Sequence, residues 1–164
     1  MTQLIDSALG GGGEMGERMR AVDWSTTPLG PPERWPQSLK ISVRIMLDSA
    51  YPMAICWGSD YTLLYNDALR SMFGTKHPAA LTRSFRGVFA EGWDSLGPVF
   101  DRVMTQGQAF ASPTDQLFPL NRHGYLEECY FTFAYSPIPD DEGNVGGSRS
   151  GRRRGRWDIP CRPL

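Results

Sequence analysis

The sequence predicts an α+β fold in which short antiparallel strands form a sheet and helices pack against it. The apolar run Met53–Trp57 is followed by the turn Gly58-Ser59-Asp60 and a second apolar run, Tyr61–Tyr65, an order typical of a β-hairpin. Farther along, Tyr125–Ser136 alternates with period two, as a half-buried strand does. An amphipathic helix, Trp93–Gln106, lies between these strands.

The bulk composition is that of one globular domain. A chain of 164 residues is long enough to bury a core, and its hydrophobic content of 40% excludes a disordered protein. No apolar run approaches the roughly 18 residues that span a membrane, so no membrane span is expected. The N-terminus also lacks the basic start and apolar stretch of a secretion signal. These features predict a cytoplasmic protein.

The three cysteines are Cys56, Cys129 and Cys161, and their wide spacing matches no metal-binding or redox motif. In a cytosolic protein such cysteines are expected to be reduced thiols. Cys56 and Cys129 fall on predicted strands, where each is expected to be a small core residue.

The N-terminal third is predicted to be helical. Residues 1–13 end in four glycines and form a flexible leader, and residues 14–50 form a helical extension. In its first helix, Met15, Met19 and Val22 share a face. In its second helix the apolar face comprises Leu39, Val43, Met46 and Ala50, widened by Ile45 and Leu47. The proline-rich stretch between them is extended, and we expect Leu29 and Trp35 to hold it to the surface.

The middle of the chain contains short helices and one long one. Asn66 or Asp67 is expected to cap a short helix that Gly74 ends. In the long helix the residues Trp93, Leu96, Phe100 and Val103 share a face, and Gly107 ends it. The following strand contains prolines, which predict an irregular or bulged course.

From Gly13 to Gly147 the chain resembles the PAS sensor domains found at the N-termini of bacterial histidine kinases. The stretches that carry this resemblance are DWSTTPLGPPERWPQSL, YPMAICWGSDYTLLYNDALRSMFGTKHPAAL, GWDSLGPVF and GYLEECYFTFAYSPIPDDEGNVGG. The resemblance implies a five-stranded antiparallel sheet with helices on one face and a pocket or signalling surface between them. Its first four strands would be Met53–Trp57, Tyr61–Tyr65, about Phe110–Leu120, and Tyr125–Ser136.

In this family an apolar fifth strand follows the DEGNVGG turn and lies between strands one and four. Here the segment from Ser148 to Leu164 holds six arginines and one acid, Asp158. The formal charge of the chain is −1, so this segment, at +5, leaves residues 1–147 at −6. Its first part, SRSGRRRGR, has no β-branched residue and no apolar alternation and is therefore a poor central strand, so we expect the fifth strand to be disrupted. The sensor core is therefore expected to span residues 51–147.

The arginine-rich segment, residues 148–164, has two interpretations. Arginine codons of the form CGN read one base later as GNC and give Val, Ala, Asp or Gly. One choice of codons converts the segment into an apolar strand, so we favour a non-native tail that arises from a frameshift. The alternative is a genuine basic tail that binds nucleic acid or acidic lipid. Nothing in the acidic body of the chain supports nucleic-acid binding.

The candidate pocket is defined by position between the predicted sheet and the long helix. Its residues are Ile55, Trp57, Tyr65, Trp93, Phe100, Phe131, Phe133 and Tyr135. Aromatic side chains with polar tips suit a small planar ligand. They suit a plain packed core equally well, so both interpretations stay open.

No catalytic or metal-binding residue is predicted. His77 and His123 are the only histidines, and both are expected in loops, where a surface or capping role is the expectation. The resemblance implies a histidine on the long helix in haem-binding members and an Asn-Cys-Arg-Phe-Leu segment in flavin-binding members, and the sequence has neither. Haem ligation and a flavin adduct are therefore not expected, and no cofactor is assigned.

The sequence thus predicts a sensory module without catalytic activity, the input domain of a bacterial two-component histidine kinase. It would act by changing its packing or dimer contacts when a ligand or partner binds and so bias an attached kinase. The helix within Gly13–Trp24 is a candidate homodimer contact. A ligand-free dimerisation module and a basic-tail nucleic-acid binder are the alternatives.

Overall fold

The computed structural model describes residues 8–152 and 161–164. Among these, the helices are α1 (Gly13–Ala21), α2 (Gln37–Asp48), α3 (Arg70–Phe73), α4 (Phe85–Val88) and α5 (Trp93–Gln106). The strands are β1 (Met53–Trp57), β2 (Thr62–Tyr65), β3 (Phe110–Ala111), β4 (Gln116–Asn121), β5 (Leu126–Phe131), β6 (Phe133–Pro139), β7 (Val145–Arg152) and β8 (Cys161–Pro163). Short 3-10 helices include Asp67–Leu69, Gly74–Lys76 and Ala90–Gly92.

The fold is α+β, as predicted, and its strands form two antiparallel sheets. The larger sheet has five strands in the order β2-β1-β7-β6-β3, and the smaller has three in the order β4-β5-β8. The smaller sheet repeats the order of three strands of the larger sheet. Its strands β4, β5 and β8 are next in the chain to β3, β6 and β7, and they lie side by side in the same order.

Two long predicted strands are each divided in the structure. The predicted strand Phe110–Leu120 becomes β3 and β4, and Tyr125–Ser136 becomes β5 and β6. The division falls at Thr132 on the second strand, opposite the Ser112–Asp115 connection, where Ser112 N–H donates to Phe133 C=O at 2.9 Å. The alternation survives the division, because Cys129, Phe131, Phe133 and Tyr135 are all buried.

The fifth strand of the larger sheet is formed by the segment that we expected to be disrupted. Strand β7 lies between β1 and β6, in the predicted position, and pairs with both over most of its length. The expectation of disruption is corrected because a ladder of backbone hydrogen bonds needs no apolar side chain. Glycine helps here: a Cβ added at Gly147 would lie 2.5 Å from Trp57 Cε3.

Helices cover both faces of the larger sheet. Directly paired residues share a face, so Ala54, Ser150 and Tyr135 form one row across β1, β7 and β6. Phe100 of α5 packs on this row, with its ring centroid 4.6 Å from that of Tyr135. The opposite face carries Ile55 and is covered by α2, which contacts β1 and β6. The helical extension is thus the second covering layer.

Helix α2 buries Leu39, Val43, Met46 and Leu47, as predicted. Ile45 and Ala50, which were expected on the same apolar face, are exposed. Ile45 lies at the margin of the helix face that meets the sheet, and Ala50 lies two residues beyond Asp48, where the helix ends. The apolar stripe is therefore narrower than its sequence pattern.

Helix α1 packs against the rest of the chain through its apolar side. Met15 and Met19 are fully buried. The indole Nε1 of Trp24 donates to the Met19 carbonyl at 2.8 Å, and Trp24 meets Trp35 edge-on at 4.8 Å between ring centroids. The apolar side of α1 is therefore used inside the chain.

The cysteines depart from the prediction of three reduced thiols. Cys129 and Cys161 form a disulfide, with Cα atoms 4.1 Å apart. The sequence separation hid this pairing, because β8 lies alongside β5 and makes the two cysteines direct cross-strand partners. Cys56 is free and buried. The first seven residues of the predicted leader and residues 153–160 of the predicted tail lie outside the described residues.

Candidate functional site

A cavity of about 50 Å³ lies between the larger sheet and the short helices that follow β2. Its floor is the row formed by Ala54, Ser150 and Tyr135. Its walls come from the helical segment 68–73 and from the region of α4. The complete lining is Pro52, Ala54, Ala68, Leu69, Ser71, Met72, Phe73, Phe85, Phe89, Phe131, Thr132, Phe133, Tyr135, Ser150 and Gly151.

The cavity is mainly aromatic and contains few polar groups. Five phenylalanines line it, and the polar lining side chains are Ser71, Thr132, Tyr135 and Ser150. Thr132 Oγ1 is already used, since it donates to Asp115 Oδ1 at 2.6 Å. Burial raises the pKa of Tyr135, so its hydroxyl stays protonated and able to donate a hydrogen bond. The site therefore suits a small, largely apolar ligand with one acceptor atom.

The structure brings three of the eight predicted pocket residues to this cavity: Phe131, Phe133 and Tyr135. Three others lie behind its walls. Phe100 packs against Phe85 with ring centroids 5.0 Å apart, and Tyr65 stacks on Phe73 at 4.1 Å. Trp93 is one layer farther out, 5.7 Å from Phe100.

The remaining two predicted residues, Ile55 and Trp57, lie on the opposite face of the sheet. Register explains the difference, because the β1 residue that pairs with Tyr65 and Ser150 is Ala54. The prediction chose Ile55 and Trp57 of β1 because their side chains are large, whereas the cavity lies above the small side chain of Ala54. The sequence carries no local signal for this register.

A chain of hydrogen bonds leads from the cavity wall to α1. The Tyr65 hydroxyl lies 2.9 Å from His77 Nδ1, and His77 Nε2 lies 3.0 Å from Glu14 Oε1. A carboxylate only accepts, so neutral His77 carries its proton on Nε2 and accepts the Tyr65 hydroxyl at Nδ1. His77, expected to be a surface or capping residue, is in fact a partly buried bridge between two elements.

Helix α1 is capped by a residue from another part of the chain. Its own N-cap residue, Gly12, makes no side-chain cap. Instead the Asp67 carboxylate accepts from the Glu14 N–H at 3.1 Å and from the Met15 N–H at 2.7 Å. These are donors that a helix start leaves without partners. Asp67, predicted as a possible cap for its own helix, stabilises the start of α1.

Glu14 is held ionised by its neighbours. Hydrogen bonds from Arg18 and then from His77 lower the pKa of Glu14 from 4.5 to about 2, and Arg70 adds to the effect. A carboxyl group with a lowered pKa stabilises the folded state above its unfolded pKa. The contribution of Glu14 is therefore complete above pH 4.5 and is lost as the pH falls toward 2.

The described residues do not fit a cysteinyl-flavin adduct or a metal centre. The free thiol among them, Cys56, is fully enclosed on β1 and does not line the cavity, and burial raises its pKa. The cavity volume of about 50 Å³ is also far below the roughly 300–1,000 Å³ of typical ligand pockets. Within residues 8–152 and 161–164, no three His, Cys, Asp or Glu side chains form a metal-binding group.

Comparison with solved structures identifies the class of fold. An RNA-binding light-oxygen-voltage (LOV) receptor matches with a TM-score of 0.52 and 20% identity over 69% of this chain and 31% of that chain. The LOV domain of the blue-light photoreceptor aureochrome 1 matches with a TM-score of 0.50 and 15% identity over 70% of this chain and 83% of that chain. At these identities the likeness concerns the fold.

A sensory box sensor histidine kinase from Vibrio cholerae matches with a TM-score of 0.47 and 14% identity, over 69% of this chain and 85% of that chain. No family model matches the sequence, and no curated protein does. This chain has the fold of PAS and LOV sensor domains, and it spans about a third of the length of the RNA-binding receptor. Across the described residues, each helix is too short or too polar to cross a bilayer.

Proposed function

We propose that this chain is a sensory PAS domain without catalytic activity that responds to a small ligand in the cavity above β1, β6 and β7. The resemblance of its sequence to the input domains of bacterial histidine kinases supports a two-component kinase as the effector. The PAS fold supports the sensory role. Ligand-dependent changes in packing and in dimer contacts would bias the attached kinase.

The cavity is the observation that carries this proposal. It lies between the sheet and the short helices, and the buried Tyr135 lines its floor. Because burial keeps the Tyr135 hydroxyl protonated, this hydroxyl can donate a hydrogen bond to an acceptor atom of a ligand. The volume of about 50 Å³ limits the size of the ligand that fits without rearrangement. A larger ligand requires a wall of the cavity to move outward.

A pair of matched probes tests the proposal. Pyridine has a ring nitrogen that accepts a hydrogen bond, whereas benzene has the same shape and no acceptor. We expect pyridine to bind at least threefold more tightly than benzene, measured by isothermal titration calorimetry or by ligand-observed NMR. Tyr135→Phe should remove the difference between the two probes.

Two variants of β7 control for the location of binding. Ser150→Leu extends a side chain into the cavity and should abolish binding of both probes. Arg149→Leu is the matched control, because Arg149 lies on the alternate face of β7, is exposed and does not line the cavity. Absence of binding by either probe, together with no small molecule retained by the purified protein in native mass spectrometry, would overturn the proposal.

A ligand-free dimerisation module is the second candidate, and an exposed apolar patch favours it. The patch comprises Leu117, Tyr125, Leu126 and Tyr130 on β4, β5 and their hairpin. Leu117 and Tyr130 are direct cross-strand partners and are 47% and 37% exposed. A dimer that dissociates in Leu117→Asp, in a protein that binds neither probe, would favour this function. The nucleic-acid alternative concerns six arginines, three of which lie outside the described residues.

A further inference from the structure

We infer that the segment Asp67–Phe73, here called the lever, couples the contents of the cavity to the docking of helix α1. This inference rests on the proposed sensory function and deepens it, because it names the element that carries the signal away from the cavity. The lever consists of the 3-10 helix Asp67–Leu69 and helix α3.

One side of the lever forms a wall of the cavity. Ala68, Leu69, Met72 and Phe73 all line it, together with Ser71. Phe73 is the most enclosed of them and is 1% exposed. Any occupant that fills the cavity therefore touches the lever.

The other side of the lever holds the start of α1. Asp67 accepts the two hydrogen bonds from the Glu14 and Met15 amides, and Arg70 pairs with the Glu14 carboxylate. The approach is close enough that a Cβ at Gly13 would lie 2.3 Å from Asp67 Oδ2. Gly13 also has φ +56°, a conformation in which glycine is favoured. The two residues that hold α1 thus belong to the same seven-residue segment as the five that line the cavity.

A second path joins the same two places. The Tyr65 ring stacks on Phe73 with centroids 4.1 Å apart, and its hydroxyl continues through His77 to Glu14. Displacement of Phe73 therefore disturbs the lever and the hydrogen-bond chain together. Glu14 receives both paths.

The wall that yields to an occupant is the lever. The floor of the cavity is strand β7 with neighbours on both sides, so its backbone is fixed by two hydrogen-bond ladders. The lever is only two short helical turns, which fluctuate more easily than a paired central strand. A ligand larger than the cavity of about 50 Å³ must push the lever outward, which draws Asp67 and Arg70 away from α1.

Hydrogen exchange at the amides of α1 tests the first half of the coupling. Asp67→Ala should accelerate exchange of residues 13–21 at least fivefold, while exchange in α2 stays unchanged. Asp67→Asn, which keeps one acceptor oxygen, should give a smaller acceleration. Asp94→Ala removes an exposed carboxylate from the first turn of α5 and serves as the control. Equal exchange of α1 in Asp67→Ala and in the unmodified protein would overturn the inference.

A double-mutant cycle tests the second half without any ligand. Ser150→Leu fills the cavity from the floor and should accelerate exchange of α1 at least threefold, whereas Arg149→Leu, at an exposed position of β7 outside the cavity lining, should leave it unchanged. In the Asp67→Ala background, Ser150→Leu should have little further effect, because the connection is already broken. Effects that multiply independently would overturn the coupling.

A replacement variant and the absence of any added ligand make the result of the double-mutant cycle interpretable in every case. Ala54→Val enlarges a neighbouring floor residue and replaces Ser150→Leu if that variant fails to fold. The cycle uses only side chains of the protein, so failure of both probes to bind would remove the proposed ligand and leave the coupling measurable. If the probes bind but the effects of the Asp67 and Ser150 substitutions are additive, the proposed ligand site stands and the coupling to α1 is overturned.

Discussion

Strands β1 and β7 lie side by side in the centre of the larger sheet but have opposite compositions. The sequence of β1 is MAICW, and four of its five residues are buried. The sequence of β7 is VGGSRSGR, which has one β-branched residue and three glycines. Both are paired on two sides. The comparison shows that backbone pairing is enough to place a strand at the centre of this sheet. Of the two strands, β1 provides almost all of the side-chain burial that stabilises the fold.

The largest expected difference between the two strands concerns the directly paired residues Ile55 and Arg149. Ile55 is fully buried beneath α2, and Arg149 is exposed. Ile55→Ala should lower the free energy of unfolding by about 3 kcal/mol, through lost burial and a cavity. Arg149→Ala should change it by less than about 0.5 kcal/mol. Urea denaturation measures both, and similar losses at the two positions would contradict the comparison.

A second prediction concerns the close contact that lets β7 lie against β1. A Cβ at Gly147 would lie 2.5 Å from Trp57 Cε3 and 2.8 Å from the Cys56 carbonyl oxygen. Gly147→Ala should therefore cost about 2 kcal/mol of stability, because backbone must move.

The matched control is Gly151→Ala on the same strand, where the added Cβ is in open space. It should be neutral or stabilise by about 0.5 kcal/mol, since alanine loses less conformational entropy on folding than glycine. Both are measured by thermal or urea unfolding. A Gly147→Ala protein as stable as Gly151→Ala would show that the two strands are not in this close contact.

Local patterns in the sequence predicted much of the fold. The β1–β2 hairpin, both N-terminal helices and α5 with its end at Gly107 follow from apolar spacing and turn residues. The resemblance supplied the position of the fifth strand. These features depend on short stretches of chain, which is why the sequence alone reveals them.

Features that depend on long-range pairing were missed. Ala54 became a cavity residue in place of Ile55 because of a register that no local pattern fixes. The Cys129–Cys161 disulfide requires β8 to lie beside β5. His77 joins Tyr65 to Glu14, which lies 63 residues before His77 in the sequence, and only the docking of α1 brings Glu14 to His77. The predicted domain boundaries and the frameshift origin of residues 148–164 remain predictions.

A third prediction concerns Ser148 of β7, which faces α5 on the same side as Cys56. Its hydroxyl is buried and has no hydrogen-bond partner among the described residues. Ser148→Ala removes a group whose desolvation is uncompensated and should raise stability by about 1 kcal/mol. Ser150→Ala, beside the cavity, should change stability by less than about 0.5 kcal/mol. Loss of stability in Ser148→Ala would mean that the hydroxyl has a partner in solution.

The smallest expected effect addresses the origin of β7. If an apolar strand is the native sequence here, valine at position 149 should suit the sheet better than arginine, because it lies opposite Ile55 and next to exposed Ile45 of α2. Arg149→Val should then raise stability by about 0.5 kcal/mol through higher β-propensity and burial. Arg149→Lys, which keeps the charge, is the control and should leave stability unchanged.

The nucleotide sequence from codon 140 onward provides the independent test. A Val- and Leu-rich strand in another frame, together with a stabilised Arg149→Val protein, would mean that β7 replaces a strand as apolar as β1. A destabilised variant with no such frame would mean that the arginines belong to this sheet and that its exposed Arg149 was selected for a role on the surface.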